Sequence, residues 1–141
     1  MELLNFFNYY KQNQPFRPPE QPVFFDDLVT EVILFRDEPF QVSQIILEPH
    51  TEVSLHAHPH IDSILLYGSG DMIFLLDDKE IPAEVSGVDA IEVGPEQWHG
   101  AKVGVAGATF YNIAHHLKPG FVATDWIFKD PAETRKNFKC E

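Results

Sequence analysis

Between residues 23 and 113 the chain alternates short hydrophobic runs with turn-forming residues. Valine, isoleucine and phenylalanine dominate these runs, and such short, regularly spaced segments predict β-strands rather than helices. The number of runs and the scarcity of helical periodicity favour an all-β sandwich or barrel. The predicted strands span residues 28–35, 40–47, 53–58, 63–67, 71–76, 90–93, 98–103 and 109–115.

Two small-residue segments predict turns inside this region. Gly68-Ser69-Gly70 separates the fourth and fifth predicted strands, and Gly104-Val105-Ala106-Gly107 separates the last two. Glycine-rich segments between hydrophobic runs usually reverse the chain. We therefore expect separate strands on either side of each segment.

The two ends of the chain differ from this β-rich region. Residues 1–22 combine aromatic residues with several prolines, which predicts an arm that packs either on its own domain or on a second subunit. Residues 23–118 form the predicted barrel, and residues 119–141 form a C-terminal extension with a short helix near residues 131–136.

Composition and charge restrict the possible partners. A chain of 141 residues with 44% hydrophobic residues suits one domain with a real core. Its net charge of −12 disfavours nucleic acid and anionic membrane surfaces as partners. The only cysteine, Cys140, cannot form an intramolecular disulfide, which is compatible with a reducing cytosol. We find no signal-peptide pattern or membrane span, and we expect a cytoplasmic protein.

The candidate chemistry lies in two histidine-containing segments. His56 and His58 are two residues apart in a predicted strand, so both imidazoles point to the same side of the sheet. Pro59 ends that strand, Asp62 follows it, and His99 comes after a separate glycine-proline turn. Three imidazoles and one carboxylate favour a divalent transition metal, of which iron is our first choice and manganese, nickel and zinc are alternatives.

Two alternatives for this ligand set remain open. His60 could replace His56 or Asp62, because His58 and His60 have the same spacing as His56 and His58. Asp62 could instead accept a hydrogen bond from a ligand imidazole without binding the ion itself. We favour His56 and His58 because Pro59 fits a turn after this pair better than a break within it.

These segments resemble the two motifs of the cupin superfamily. The first motif matches His56-x-His58 to Asp62 with glycines after it, and the second matches residues 87–99, ending in His99. The resemblance implies a double-stranded β-helix, or jelly-roll barrel, with His56, His58, Asp62 and His99 around a metal at the barrel mouth. Asp62 stands where the family usually has glutamate.

Strand alternation also predicts what lines the barrel. Counting from Asp62 places Ile64 and Leu66 on the inner face, with Met72 and Phe74 together on the next strand. Tyr111 is a candidate for an inward-facing phenol. His115 and His116 are adjacent, so at most one can face the pocket, and we expect both to be exposed. The interior is therefore predicted to be mainly apolar.

These features support three functional hypotheses. The first is a non-haem metal-dependent oxidoreductase of the dioxygenase type that acts on a small organic substrate. The second is a metal-dependent isomerase or lyase of the same fold, and the third is a module that binds a metal or small ligand without turnover. We expect a homodimer, because strand edges and the aromatic arm both need cover.

Deleting residues 1–14 is expected to weaken this homodimer, because the arm would pack on the second subunit. Analytical ultracentrifugation across a concentration series measures the effect. A sedimentation profile identical to that of the full chain would show that the arm does not contribute to association.

Overall fold

The computed structural model describes residues 23–24, 27–83, 90–119 and 126–140, and these residues form an all-β structure. No helix occurs in these ranges. None of the described segments is therefore a helix with the length and apolar character required to cross a membrane. The predicted all-β class is confirmed, whereas the predicted N-terminal arm, residues 1–22, lies outside the described residues.

Ten strands make up the described structure, and several coincide with the predicted runs. In chain order they are β1 (Val23–Phe24), β2 (Val29–Asp37), β3 (Phe40–Leu47), β4 (Thr51–Ala57), β5 (Ile61–Leu76), β6 (Lys79–Pro82), β7 (Ala90–Val93), β8 (His99–His116), β9 (Ile127–Phe128) and β10 (Asn137–Lys139).

Two long strands, β5 and β8, form the centre of the barrel. They pair antiparallel along their whole length, from Ile61 opposite His116 to Leu76 opposite His99. One half of this ribbon continues into β3, β2 and β1 on one side and β7 on the other. The other half continues into β4 and β6, and β9 and β10 pair with β4. The ribbon therefore belongs to two layers.

The hydrophobic core lies between these two layers. Ile45 and Leu47 of β3 pack in one cluster with Met72 and Phe74 of β5 and Val103 of β8. Because the cluster draws from both halves of the ribbon, the halves face each other. Burial of Met72 and Phe74 agrees with the predicted shared face.

The structure corrects the two predicted glycine turns. Residues 68–70 and 104–107 lie inside β5 and β8, where the register shifts between Tyr67 and Ser69 and between Gly70 and Met72. Gly70 has a φ of 93° and Gly107 a φ of 69°. A β-carbon at Gly70 would overlap the carbonyl oxygen of Gly107. These glycines thus permit irregular pairing within continuous strands. From the sequence alone, such a glycine-containing segment resembles a turn.

The predicted C-terminal helix is wrong. Residues 131–132 form a turn, and β10 follows and pairs antiparallel with β4, with Asn137 opposite Val53. The Ser54 hydroxyl donates a hydrogen bond to the Arg135 carbonyl at 2.5 Å, and its amide donates to the Lys136 carbonyl at 2.9 Å. Pairing with β4 gives the backbone N–H and C=O groups of this segment their hydrogen-bond partners. A local helical preference therefore does not decide the structure.

Replacing Gly70 by alanine is expected to lower the free energy of unfolding by at least about 2 kcal/mol, because it adds left-handed strain and a backbone overlap. Denaturant unfolding measures the change. Gly94→Ala is the matched control, because the nearest atom to its new β-carbon, Gln97 Oε1, lies 3.9 Å away. We expect the control to change stability by less than about 0.5 kcal/mol. Equal effects of the two substitutions would contradict the assigned role of Gly70.

Candidate metal centre

Three histidines from two neighbouring strands meet inside the barrel. His56 lies on β4 and is opposite His99, the first residue of β8, while His58 directly follows β4. One ring nitrogen of each histidine lies within 4.8 Å of those of the other two. The structure therefore brings together the three histidines that sequence spacing selected.

Backbone hydrogen bonds fix the orientation of two of these rings. His56 Nδ1 lies 2.6 Å from the Ser54 carbonyl oxygen, and His99 Nδ1 lies 2.9 Å from the Gln97 carbonyl oxygen. A carbonyl only accepts, so each Nδ1 carries the proton and donates. This tautomer leaves the Nε2 lone pair as the ligand atom, which is how metal-binding histidines are usually held.

Burial favours the neutral form of the His56 and His99 imidazoles. His56 is 4% exposed and His99 is 9% exposed. Burial, together with the neighbouring His99 and His58 rings, holds the pKa of His56 well below its ordinary value. Burial also lowers the pKa of His99, despite the opposing hydrogen bond to Gln97. Only a neutral imidazole binds a metal, so the donor set fits a divalent transition ion.

Trp126 packs against the histidine group, although no pattern in the sequence predicted this role. Its ring stacks on His56, with centroids 3.5 Å apart and an interplanar angle of 17°. The His58 ring is nearly perpendicular to the same indole, with ring centroids 5.3 Å apart. Trp126 therefore packs against one face of the His56 ring and restricts its orientation. Its position depends on the return of the chain to β4 through β9, for which no local motif exists.

The structure does not bring Asp62 or His60 into the histidine group. Asp62 is exposed and lies opposite His115 on β8, whereas its neighbours Ile61 and Ser63 line the cavity. Strand alternation therefore directs Asp62 away from the cavity, because β5 begins one residue out of the expected phase. His60 lies in the turn before β5, where its carbonyl accepts a hydrogen bond from Leu117.

A cavity of about 120 Å³ extends from the histidines into the barrel. The same one-residue shift corrects the predicted lining on β5: Ile64 is 38% exposed, and neither Ile64 nor Leu66 lines the cavity. Tyr111 of β8 does not line the cavity either. His116 lines the cavity, contrary to the expected exposure of both terminal histidines. The other polar residues in the lining include Glu31, Gln41, Ser63, Asn112 and Asn137, and its apolar residues include Val29, Ile45, Leu47, Val53, Leu65 and Phe110.

His58→Ala is expected to weaken Co²⁺ binding at least about 100-fold, since even loss of an outer-shell partner typically costs about 10–100-fold. Isothermal titration calorimetry measures the affinity, and circular dichroism verifies that the fold is retained. His60→Ala is the matched control and is expected to change the affinity by less than about twofold. The reverse pattern would assign the ligand role to His60.

Comparisons with known proteins identify the fold. No protein-family model and no curated protein matches the sequence. An RmlC-like cupin from Shewanella frigidimarina matches with a TM-score of 0.64 and 18% identity, over 78% of this chain and 97% of that one. A predicted oxalate decarboxylase from Thermotoga maritima matches with a TM-score of 0.59 and 18% identity, over 69% and 93%. The DMSP lyase DddQ from Ruegeria pomeroyi matches with a TM-score of 0.62 and 13% identity, over 80% and 62%.

These likenesses concern the course of the backbone, since fewer than one residue in five is identical. They agree with the motif resemblance around His56 and His99 and with the two layers joined by the β5–β8 ribbon. The chain has the fold of the cupin superfamily.

Proposed function

We propose that this protein is a metal-dependent oxidoreductase of the dioxygenase type, with ferrous iron held by His56, His58 and His99. The observation that carries the proposal is a ligand group of three imidazoles that no carboxylate of the described residues joins. Because neutral imidazoles add no negative charge, an ion bound there keeps its full double positive charge. Such a centre attracts an anionic, chelating substrate.

The number of protein ligands also supports this chemistry. Three side chains leave up to three positions of a six-coordinate ion for exogenous ligands. Iron held there would supply the oxygen-activating chemistry, and its open positions would be available to a chelating substrate and to dioxygen. The hydrogen bonds to the Ser54 and Gln97 carbonyls keep the Nε2 atoms of His56 and His99 oriented.

The cavity limits the size of the substrate. Its volume of about 120 Å³ is smaller than the ~150 Å³ of an apolar cavity that holds benzene. Aliphatic side chains such as Val29, Ile45 and Leu65 line much of it. An apolar lining lowers the local dielectric constant and strengthens the polarisation of a bound substrate by the ion. We therefore expect small organic acids or thiols as substrates.

A lyase or isomerase is the second candidate, and Glu31 is the observation that favours it. This carboxyl lines the cavity, and burial raises its pKa, although the charge of Arg36 opposes the shift. A raised pKa makes a carboxylate a better proton acceptor near neutral pH. Two of the structurally similar proteins carry the names of a lyase and a decarboxylase.

Oxygen uptake by the iron-loaded protein distinguishes the two candidates. With a panel of small acids and thiols, we expect substrate-dependent oxygen consumption that His58→Ala abolishes. Glu31→Gln is expected to keep this activity within about threefold, because dioxygenase chemistry at the ion requires no proton acceptor at Glu31.

The lyase alternative makes the opposite prediction. Turnover without oxygen that falls about 10²–10⁴-fold in Glu31→Gln would identify a carboxylate base and overturn the dioxygenase proposal. Tight binding of metal and substrate without turnover under either condition would identify a binding module instead.

A further inference from the structure

The cavity wall formed by β3 and β8 carries two buried hydrogen-bond acceptors without a partner among the described residues. They are Gln41 Oε1 and Asn112 Oδ1. Gln41 is only 6% exposed, and both residues line the cavity that reaches the three histidines. A buried acceptor without a partner destabilises the folded state, so its presence in a binding cavity indicates a ligand.

The strand register places these two acceptors side by side. Gln41 is opposite Ala114 and Ser43 is opposite Asn112, so Gln41 and Asn112 are diagonal neighbours on one face of the β3–β8 pair. Such diagonal positions lie about 7–8 Å apart at their α-carbons, within reach of long side chains. The Gln41 amide nitrogen donates to Ser43 Oγ at 3.2 Å, which orients its oxygen away from Ser43. Both residues therefore present an acceptor to the same side of the cavity.

The histidines occupy the other layer of the barrel. His56 belongs to β4 and His99 to the first half of β8, whereas Asn112 belongs to the second half, which pairs with β3. Facing layers of a sandwich lie about 10 Å apart. A small ligand that binds an ion at the histidines with one end can therefore reach the acceptor pair with its other end. Only a few bonds need to separate its two ends.

We propose that Gln41 and Asn112 recognise an N–H or O–H donor on the substrate, at the end opposite the group that binds the metal. The substrate class is then a small carboxylate, or a similar metal-binding anion, that carries an amino or hydroxyl group about three bonds away. This inference rests on the metal centre proposed above and specifies the substrate of that site.

Three carboxylates of equal size test the inference: 3-aminopropanoate, 3-hydroxypropanoate and butanoate. They place an ammonium, a hydroxyl or a methyl group at the same position. Their affinities for the Co²⁺-loaded protein are measured from changes in the visible cobalt spectrum. We expect the better of the two donor-bearing probes to bind at least about tenfold more tightly than butanoate, because only a donor satisfies the buried acceptors.

Asn112→Leu and Gln41→Met are expected to remove this preference without changing Co²⁺ affinity by more than about twofold. Asn112→Leu is also expected to raise the unfolding temperature, because it replaces an unsatisfied buried oxygen with an apolar group of similar size. Gln44→Met is the matched control, since Gln44 lies on the opposite face of β3 and does not line the cavity.

The outcomes separate this inference from the proposed function. Normal Co²⁺ binding with equal affinities for the three probes, or with butanoate preferred, would overturn donor recognition and leave the metal centre standing. Failure of Co²⁺ to bind would overturn both. A donor preference that persists in Asn112→Leu and Gln41→Met would assign the recognition to other residues.

Discussion

The antiparallel pairing of β5 with β8 positions both ends of the candidate site. Its bulges around Gly70 and Gly107 allow one ribbon to serve two facing layers. As a result, β8 contributes His99 to one layer and Asn112 to the other. Loss of this pairing would separate the metal-binding end of the cavity from the wall that faces it. The site is therefore a property of the barrel rather than of either histidine motif alone.

Burial has opposite consequences at the two ends of the cavity. At the histidines it favours neutral rings, and the carbonyls of Ser54 and Gln97 orient the tautomers, so the site is prepared for a cation before one binds. At Gln41 and Asn112, burial leaves acceptors without partners in the described structure. Both arrangements make the cavity complementary to a bound metal and ligand, and the two unpartnered acceptors also lower the stability of the empty barrel.

Local spacing predicted the histidines, whereas strand phase and tertiary register determined the rest of the site. His56 and His58 share a face at any position of their strand, so their pairing was readable from the sequence. Asp62 was not, because a shift of one residue at the start of β5 moves the side chains between it and the bulges near Gly70 to the other face. Gly70 resembled a turn because glycine serves turns and bulges alike. Trp126 reaches His56 only through the pairing of β9 with β4, which no local pattern encodes.

X-ray absorption spectroscopy of the iron-loaded protein, with the metal content measured on the same sample, identifies the ligands of the ion. We expect one iron per chain, with scattering from three imidazoles and only light-atom ligands besides. We expect the same spectrum for Asp62→Asn, because Asp62 lies outside the histidine group. An ion with one imidazole or none, or a spectrum that loses a ligand in Asp62→Asn, would contradict a three-histidine iron site.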